Sequence, residues 1–115
     1  MQEARGRGNV EALCSLAYCY LRGFSVEKSD ELATQLYREA SDLGDPGATR
    51  NLALMVQSED PAQAVALFQR SVAGGNRLAI TNLAGAYRDG LGVPADQDKA
   101  KELYLLAAER GDVVT

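Results

Sequence analysis

Two thiols, two groups of carboxylates and one glycine-rich turn are the features of this chain that could do chemistry. Cys14 and Cys19 could serve as nucleophiles, as metal ligands or as a disulfide. Both fall in one expected helix, where a rise of ~1.5 Å per residue puts their Cα atoms roughly 8 Å apart, too far for a disulfide. No second metal ligand lies near them, and Cys14 reads as a small surface or interface residue. Histidine is absent, which removes the usual general base near neutral pH and the commonest metal ligand. Glu27, Asp30 and Glu31, and again Asp96 and Asp98, have the right types for acid–base work. They stand where helices begin, and negative charge there is favoured by the helix dipole. Gly90-Leu-Gly-Val has the outline of a phosphate loop, but it lacks the following Lys-Ser/Thr and joins two helices, so it reads as a hairpin turn. The expectation is no catalytic residue, no cofactor and no metal.

The totals agree with a structural or binding role. The 115 residues suit one domain or part of a longer array, and a hydrophobic content of 46% is enough for a packed core. The formal net charge of −4 gives no basic face for nucleic acid. No apolar run nears the ~20 residues of a membrane helix. The opening MQEARGRGNVEAL lacks the apolar core of a secretory signal, so the expected compartment is the cytoplasm. Alanine and leucine dominate and β-branched runs are few, which favours helix.

Three segments align without gaps: GNVEALCSLAYCY from Gly8, GDPGATRNLALMV from Gly44 and GNRLAITNLAGAY from Gly75. Each opens with Gly and then Asn or Asp. Ala recurs at 12, 48 and 79, and Leu-Ala at 16–17, 52–53 and 83–84. Downstream, Ala33, Ala64 and Ala100 correspond, as do Leu36, Leu67 and Leu103, and then Tyr37, Phe68 and Tyr104. The starts lie 36 and then 31 residues apart, a repeat length that marks a solenoid of stacked units, because one αα-hairpin cannot bury both of its sides. The Gly is expected to end a helix in the left-handed conformation and the Asn or Asp to cap the next one. Pro46 and Pro61 follow aspartates, at the first helical position where a missing N–H costs nothing.

The resulting reading is all-α: about six helices, near 9–21, 29–43, 46–57, 61–73, 76–89 and 96–110. Residues 1–7 form an expected N-terminal extension, frayed or weakly helical, and 8–115 a single repeat domain. Its units are 8–43, 44–74 and 75–110, with 111–115 opening a fourth. The middle unit is five residues short and lacks the Gly-x-x-Val turn, so its two helices should meet through a tighter link. Small residues at 17, 53 and 84, and at 33, 64 and 100, should let paired helices approach closely, with Tyr20 and Tyr87 beside the turn.

These residues resemble Sel1-like repeats, relatives of the tetratricopeptide repeat. Ala79, Leu83, Ala84 and Tyr87 match the first helix of that repeat, with Ala84 where Gly is usual. Gly90, Gly92 and Val93 match its turn, and Ala100, Tyr104, Ala107, Ala108 and Gly111 its second helix. The first unit departs at Ser25 and Ser41, and the second at Val56, Ser71 and Val72. The resemblance covers roughly residues 8–112 and implies an α-α superhelix. It further implies a protein–protein interaction scaffold, a role found in adaptors for protein degradation, assembly factors and bacterial signalling or secretion-associated proteins.

In such stacks the first helix of each unit lines the concave side. Taking Leu16, Ala17 and Tyr20 as the buried direction, the opposite face holds Glu11, Cys14, Tyr18 and Leu21. In the second unit it holds Gly47, Arg50, Leu54 and Gln57, and in the third Leu78, Thr81, Gly85 and Arg88. Asn51 and Asn82 lie alongside. The expected partner-binding set is Tyr18, Arg50, Asn51, Leu54, Gln57, Leu78, Thr81, Asn82 and Arg88. Arginine pairs with acidic groups and amides hold a peptide backbone, so the mixture suits a peptide or a partner helix. The plain alternative is that the arginines are solvated and the asparagines follow the repeat pattern. A second functional reading is self-assembly through the C-terminal repeat, with no polar capping helix after Asp112. The tight seam predicts that Ala84→Leu overpacks its hairpin by about 1–3 kcal/mol, read as a lowered denaturation midpoint.

Overall fold

The computed structural model describes the backbone of residues 2–111 and the side chains of residues 9–110. Six helices follow one another: α1 (Gln2–Arg22), α2 (Asp30–Asp42), α3 (Pro46–Val56), α4 (Pro61–Ala73), α5 (Leu78–Asp89) and α6 (Gln97–Gly111). Among the described residues there is no strand. Each helix packs extensively on its sequence neighbours, α1 on α2, α2 on α3 and so on to α6. The outcome is elongated, with a radius of gyration of 15.1 Å, against about 13 Å for a compact chain of this length.

The expected boundaries hold to within two residues for α2 to α6. The first helix differs. It begins at Gln2, so Asn9 lies inside α1 and does not cap it. The caps act at the other two unit boundaries. Gly44 (φ +99°) and Gly75 (φ +104°) are left-handed, Asp45 Oδ2 accepts the Ala48 N–H at 2.8 Å, and Asn76 Oδ1 accepts the Ala79 N–H at 3.1 Å. The expected opening of a fourth unit falls on residues 112–115, outside the described residues.

Alanine makes the seams. Ala17, Ala33, Ala53 and Ala84 are fully buried, and Ala64 and Ala100 nearly so. Without a larger side chain between them, paired helices approach closely, and Leu52, Phe68 and Ile80 fill the space between units. Two hydroxyls replace repeat alanines and are satisfied inside the stack. Ser41 Oγ and Thr49 Oγ1 lie 2.6 Å apart, and Ser71 Oγ donates to the Pro46 carbonyl at 2.6 Å.

The expected buried direction on α1 needs correction. Leu16 is 42% exposed and Ala12 is exposed, whereas their equivalents Leu52, Leu83, Ala48 and Ala79 are buried. In units two and three this edge meets the second helix of the preceding unit. Among the described residues nothing precedes α1, so only Ala17 of its Leu-Ala pair reaches the core.

The turns are built alike in units one and three. Ser29 N–H donates to the Tyr20 carbonyl at 2.9 Å, and Asp96 N–H to the Tyr87 carbonyl at 2.8 Å. Gly92 (φ +81°) lies flat on the first turn of α4. A Cβ there would sit 2.3 Å from the Pro61 carbonyl oxygen and 2.8 Å from the Ala62 nitrogen. Ser25 (φ +65°) holds the same position in unit one, where it is exposed and no described helix pair lies against it, so its side chain is tolerated at the cost of a left-handed backbone. Gly92→Ala should therefore destabilise the fold by about 2–3 kcal/mol. Ser25→Gly should be neutral to stabilising, by up to about 1 kcal/mol. Urea denaturation of the two variants checks this pair, and equal effects at both positions would contradict it.

Candidate protein-binding face

The alternation of long-axis helices leaves α1, α3 and α5 side by side, and two side-chain bonds link them. Cys14 Sγ of α1 donates to Asp45 Oδ2, the cap of α3, at 3.8 Å. Arg50 Nε of α3 donates to Asn82 Oδ1 of α5 at 2.7 Å. Residues one helical turn from these bonds share their face: Tyr18 after Cys14, Leu54 after Arg50, Leu78 before Asn82. All three are large and open to solvent, at 47%, 40% and 57% exposure. Asn51, Gln57 and Asn82 are half-buried and Thr81 is exposed.

The two arginines behave differently. Arg50 is half-buried and committed through Nε, while its η nitrogens have no partner among the described residues, leaving donors for an incoming acceptor. Arg88 points along its own hairpin. Its Nε and Nη2 donate to Asp89 at 2.9 and 3.0 Å, and its Nη1 to the Tyr104 hydroxyl of α6 at 3.0 Å. The Arg88 guanidinium, hydrogen-bonded to the Asp89 carboxylate, holds that carboxyl below its usual range. Both side chains are exposed, so solvent screens the pair. The structure brings Arg50 and Asn82 together and leaves Arg88 outside that contact.

Around Tyr18 the surface is richer than the sequence suggested. Phe24 meets its ring edge-on at 5.9 Å between centroids, and the Arg22 guanidinium lies 5.8 Å from its centroid. Phe24 is 51% exposed. The available signal was an aromatic at the turn position that Leu91 holds in the third unit.

Cys14 is half-buried and packs against the core, so it is less open than its place on the expected face implied. Burial first, and then the Asp45 carboxylate, push its thiol from 9.0 to about 11. Burial likewise raises the Tyr37 hydroxyl, with Cys14 and Tyr18 beside it. A thiol so raised is a poor nucleophile near neutral pH. Among the described residues no three His, Cys, Asp or Glu side chains converge as metal ligands. No described helix is long and apolar enough to cross a membrane.

A family model described as the Sel1 repeat matches residues 10–45, 50–76 and 77–112. The chain belongs to the Sel1 repeat family. Two solved structures support the Sel1 fold. The Sel1 repeat protein from Oxalobacter formigenes is 28% identical, with a TM-score of 0.79 over 90% of this chain and 44% of its own. The antigen c5321, described as protective and present in uropathogenic Escherichia coli strains, displays an SLR fold. It is 30% identical, with a TM-score of 0.82 over 90% of this chain and 23% of its own. The chain thus spans less than half the length of either relative. No curated protein matches it. Sel1 repeat proteins generally mediate protein–protein interaction, and the fold is typically a non-catalytic scaffold.

In a Cys19→Ser variant, iodoacetamide should modify Cys14 slowly near neutral pH, with a rate that climbs towards a midpoint of about 11. A midpoint near 9.0 would contradict the burial of Cys14 and its contact with Asp45. The same shift sets a stability trend. Both states keep the proton below 9.0, and between 9.0 and about 11 the unfolded chain releases it first, so the fold loses stability as pH rises through that window.

Proposed function

We propose that this Sel1 repeat chain is a non-enzymatic interaction module that holds a peptide or a partner helix across α1, α3 and α5. The observation that carries the reading is the exposure of Tyr18, Leu54 and Leu78 on three helices that the Cys14–Asp45 and Arg50–Asn82 bonds link. These large side chains are 40–57% exposed and fall on neighbouring first helices, where a partner could cover them together. An aromatic and two leucines supply contact area, and the arginine and amides Asn51, Gln57 and Asn82 supply direction. Thr81 and the Arg88–Tyr104 pair form the rim towards α6.

A second reading is stacking of copies through the last hairpin. It is favoured by Leu105, 59% exposed, and by Tyr104, half-buried where its equivalent Phe68 is fully buried by the next unit. A mass by light scattering that stays monomeric as concentration rises would remove it.

Affinity capture from the native host lysate, read by mass spectrometry, tests the first reading. Leu54→Glu/Leu78→Glu alters exposed positions and should leave the helical circular-dichroism signal intact. Partner capture should fall at least tenfold, about 1.4 kcal/mol. Undiminished capture by the folded double variant would overturn the assignment of this face.

A further inference from the structure

A groove of about 510 Å³ opens on a different edge of the molecule, between α2 and the link from α3 to α4. Its origin is visible by comparing units. In unit three the long turn lays Gly92 on the Pro61 carbonyl and the Ala62 nitrogen of the preceding unit's second helix. Val93 beside it is half-buried against the core. The corresponding backbone positions on α2 are Asp30 and Glu31. The turn that would cover them is the one missing from unit two, where α3 stops at Val56 and α4 restarts at Pro61. Asp30 and Glu31 line the open groove instead. Thr34, also in its wall, is half-buried, whereas its equivalent Val65 is 5% exposed. The chain therefore shows, at its own α4, what kind of segment fits the surface that α2 leaves bare.

The lining decides the chemistry of the occupant. Met55 and Val56 are half-buried and give an apolar floor. Asp30, Glu31 and Glu59 put three carboxylates on the wall against one guanidinium, Arg38. Asp30 is matched by Lys28 at 2.9 Å. Among the described residues Glu31 and Glu59 make no ion pair. A second copy of this chain, with its net charge of −4, is a poor electrostatic match for such a wall.

We propose that this groove docks an extended loop of a partner protein, one that carries a small residue, then an apolar residue, then lysine or arginine. The small residue lies on the α2 backbone as Gly92 lies on α4. The apolar residue meets Met55 and Val56, and the cation meets Glu31 and Glu59. The site is independent of the face formed by α1, α3 and α5.

The test uses the whole chain and a labelled, end-capped peptide GLGVPKK, with GLGVPEE as its charge-reversed control. Amide chemical shifts should move in α2 and in residues 55–59 on adding GLGVPKK, and the affinity should fall as salt is raised. Glu31→Lys/Glu59→Lys changes only exposed residues and should weaken binding at least tenfold. Inserting Gly-Leu-Gly-Val-Pro after Gln57 fills the groove from within and should abolish it. Arg50→Glu should leave it unchanged, which separates this site from the first face. Shifts confined to other surfaces, equal binding of GLGVPEE, full binding by the charge-reversed chain, or no binding at about 1 mM peptide would each overturn the proposal.

Discussion

The seam of small residues between successive helices is the constraint on which the rest depends. A helix pair approaches most closely where the facing side chains are small, and buried alanines stand at 17 and 33, 53 and 64, 84 and 100. Close approach then fixes where everything else stands. Leu52, Phe68 and Ile80 reach across to the neighbouring unit only because the hairpins are thin. The side chains that remain on the outside of α1, α3 and α5 are brought close enough for Arg50 to reach Asn82.

The turns add a second constraint, which couples units at their edges. Gly92 is required less for its own conformation than for the backbone it touches, since any side chain there would enter the Pro61 carbonyl. Ser25 shows the converse, a left-handed residue with a side chain where no neighbour crowds it. Shortening the middle turn removes this coupling at one edge and leaves a groove. The same repeat thus yields two surfaces of different character. One is an apolar face with a directed arginine, and the other an acidic groove over an apolar floor.

Most of the fold was legible in the sequence because its causes are local and repeated. The Gly-Asp and Gly-Asn pairs before Pro46 and Leu78, and the Ala and Leu periods, each encode one physical step, and α2 to α6 begin and end near where those steps place them. Asn9 misled because α1 is already helical from Gln2, so the same pair lies inside a helix and caps nothing. Leu16 misled because burial at that position belongs to the preceding unit, which a single-helix wheel does not contain. The proposed face could be laid out in the sequence as a set of positions. The reach of each side chain was not, because Arg50 crosses to the next unit while Arg88 folds back on Asp89 and Tyr104. The groove was legible only as a deletion, since its walls come from two units.

A stack in which each helix leans mainly on its chain neighbours should open from its ends. Amide hydrogen exchange under native conditions reads this directly. The slowest exchange is expected in α3 and α4, at amides around Leu52 and Phe68, with faster sub-global opening of α1 and α6. Uniform protection across all six helices, lost together, would contradict it.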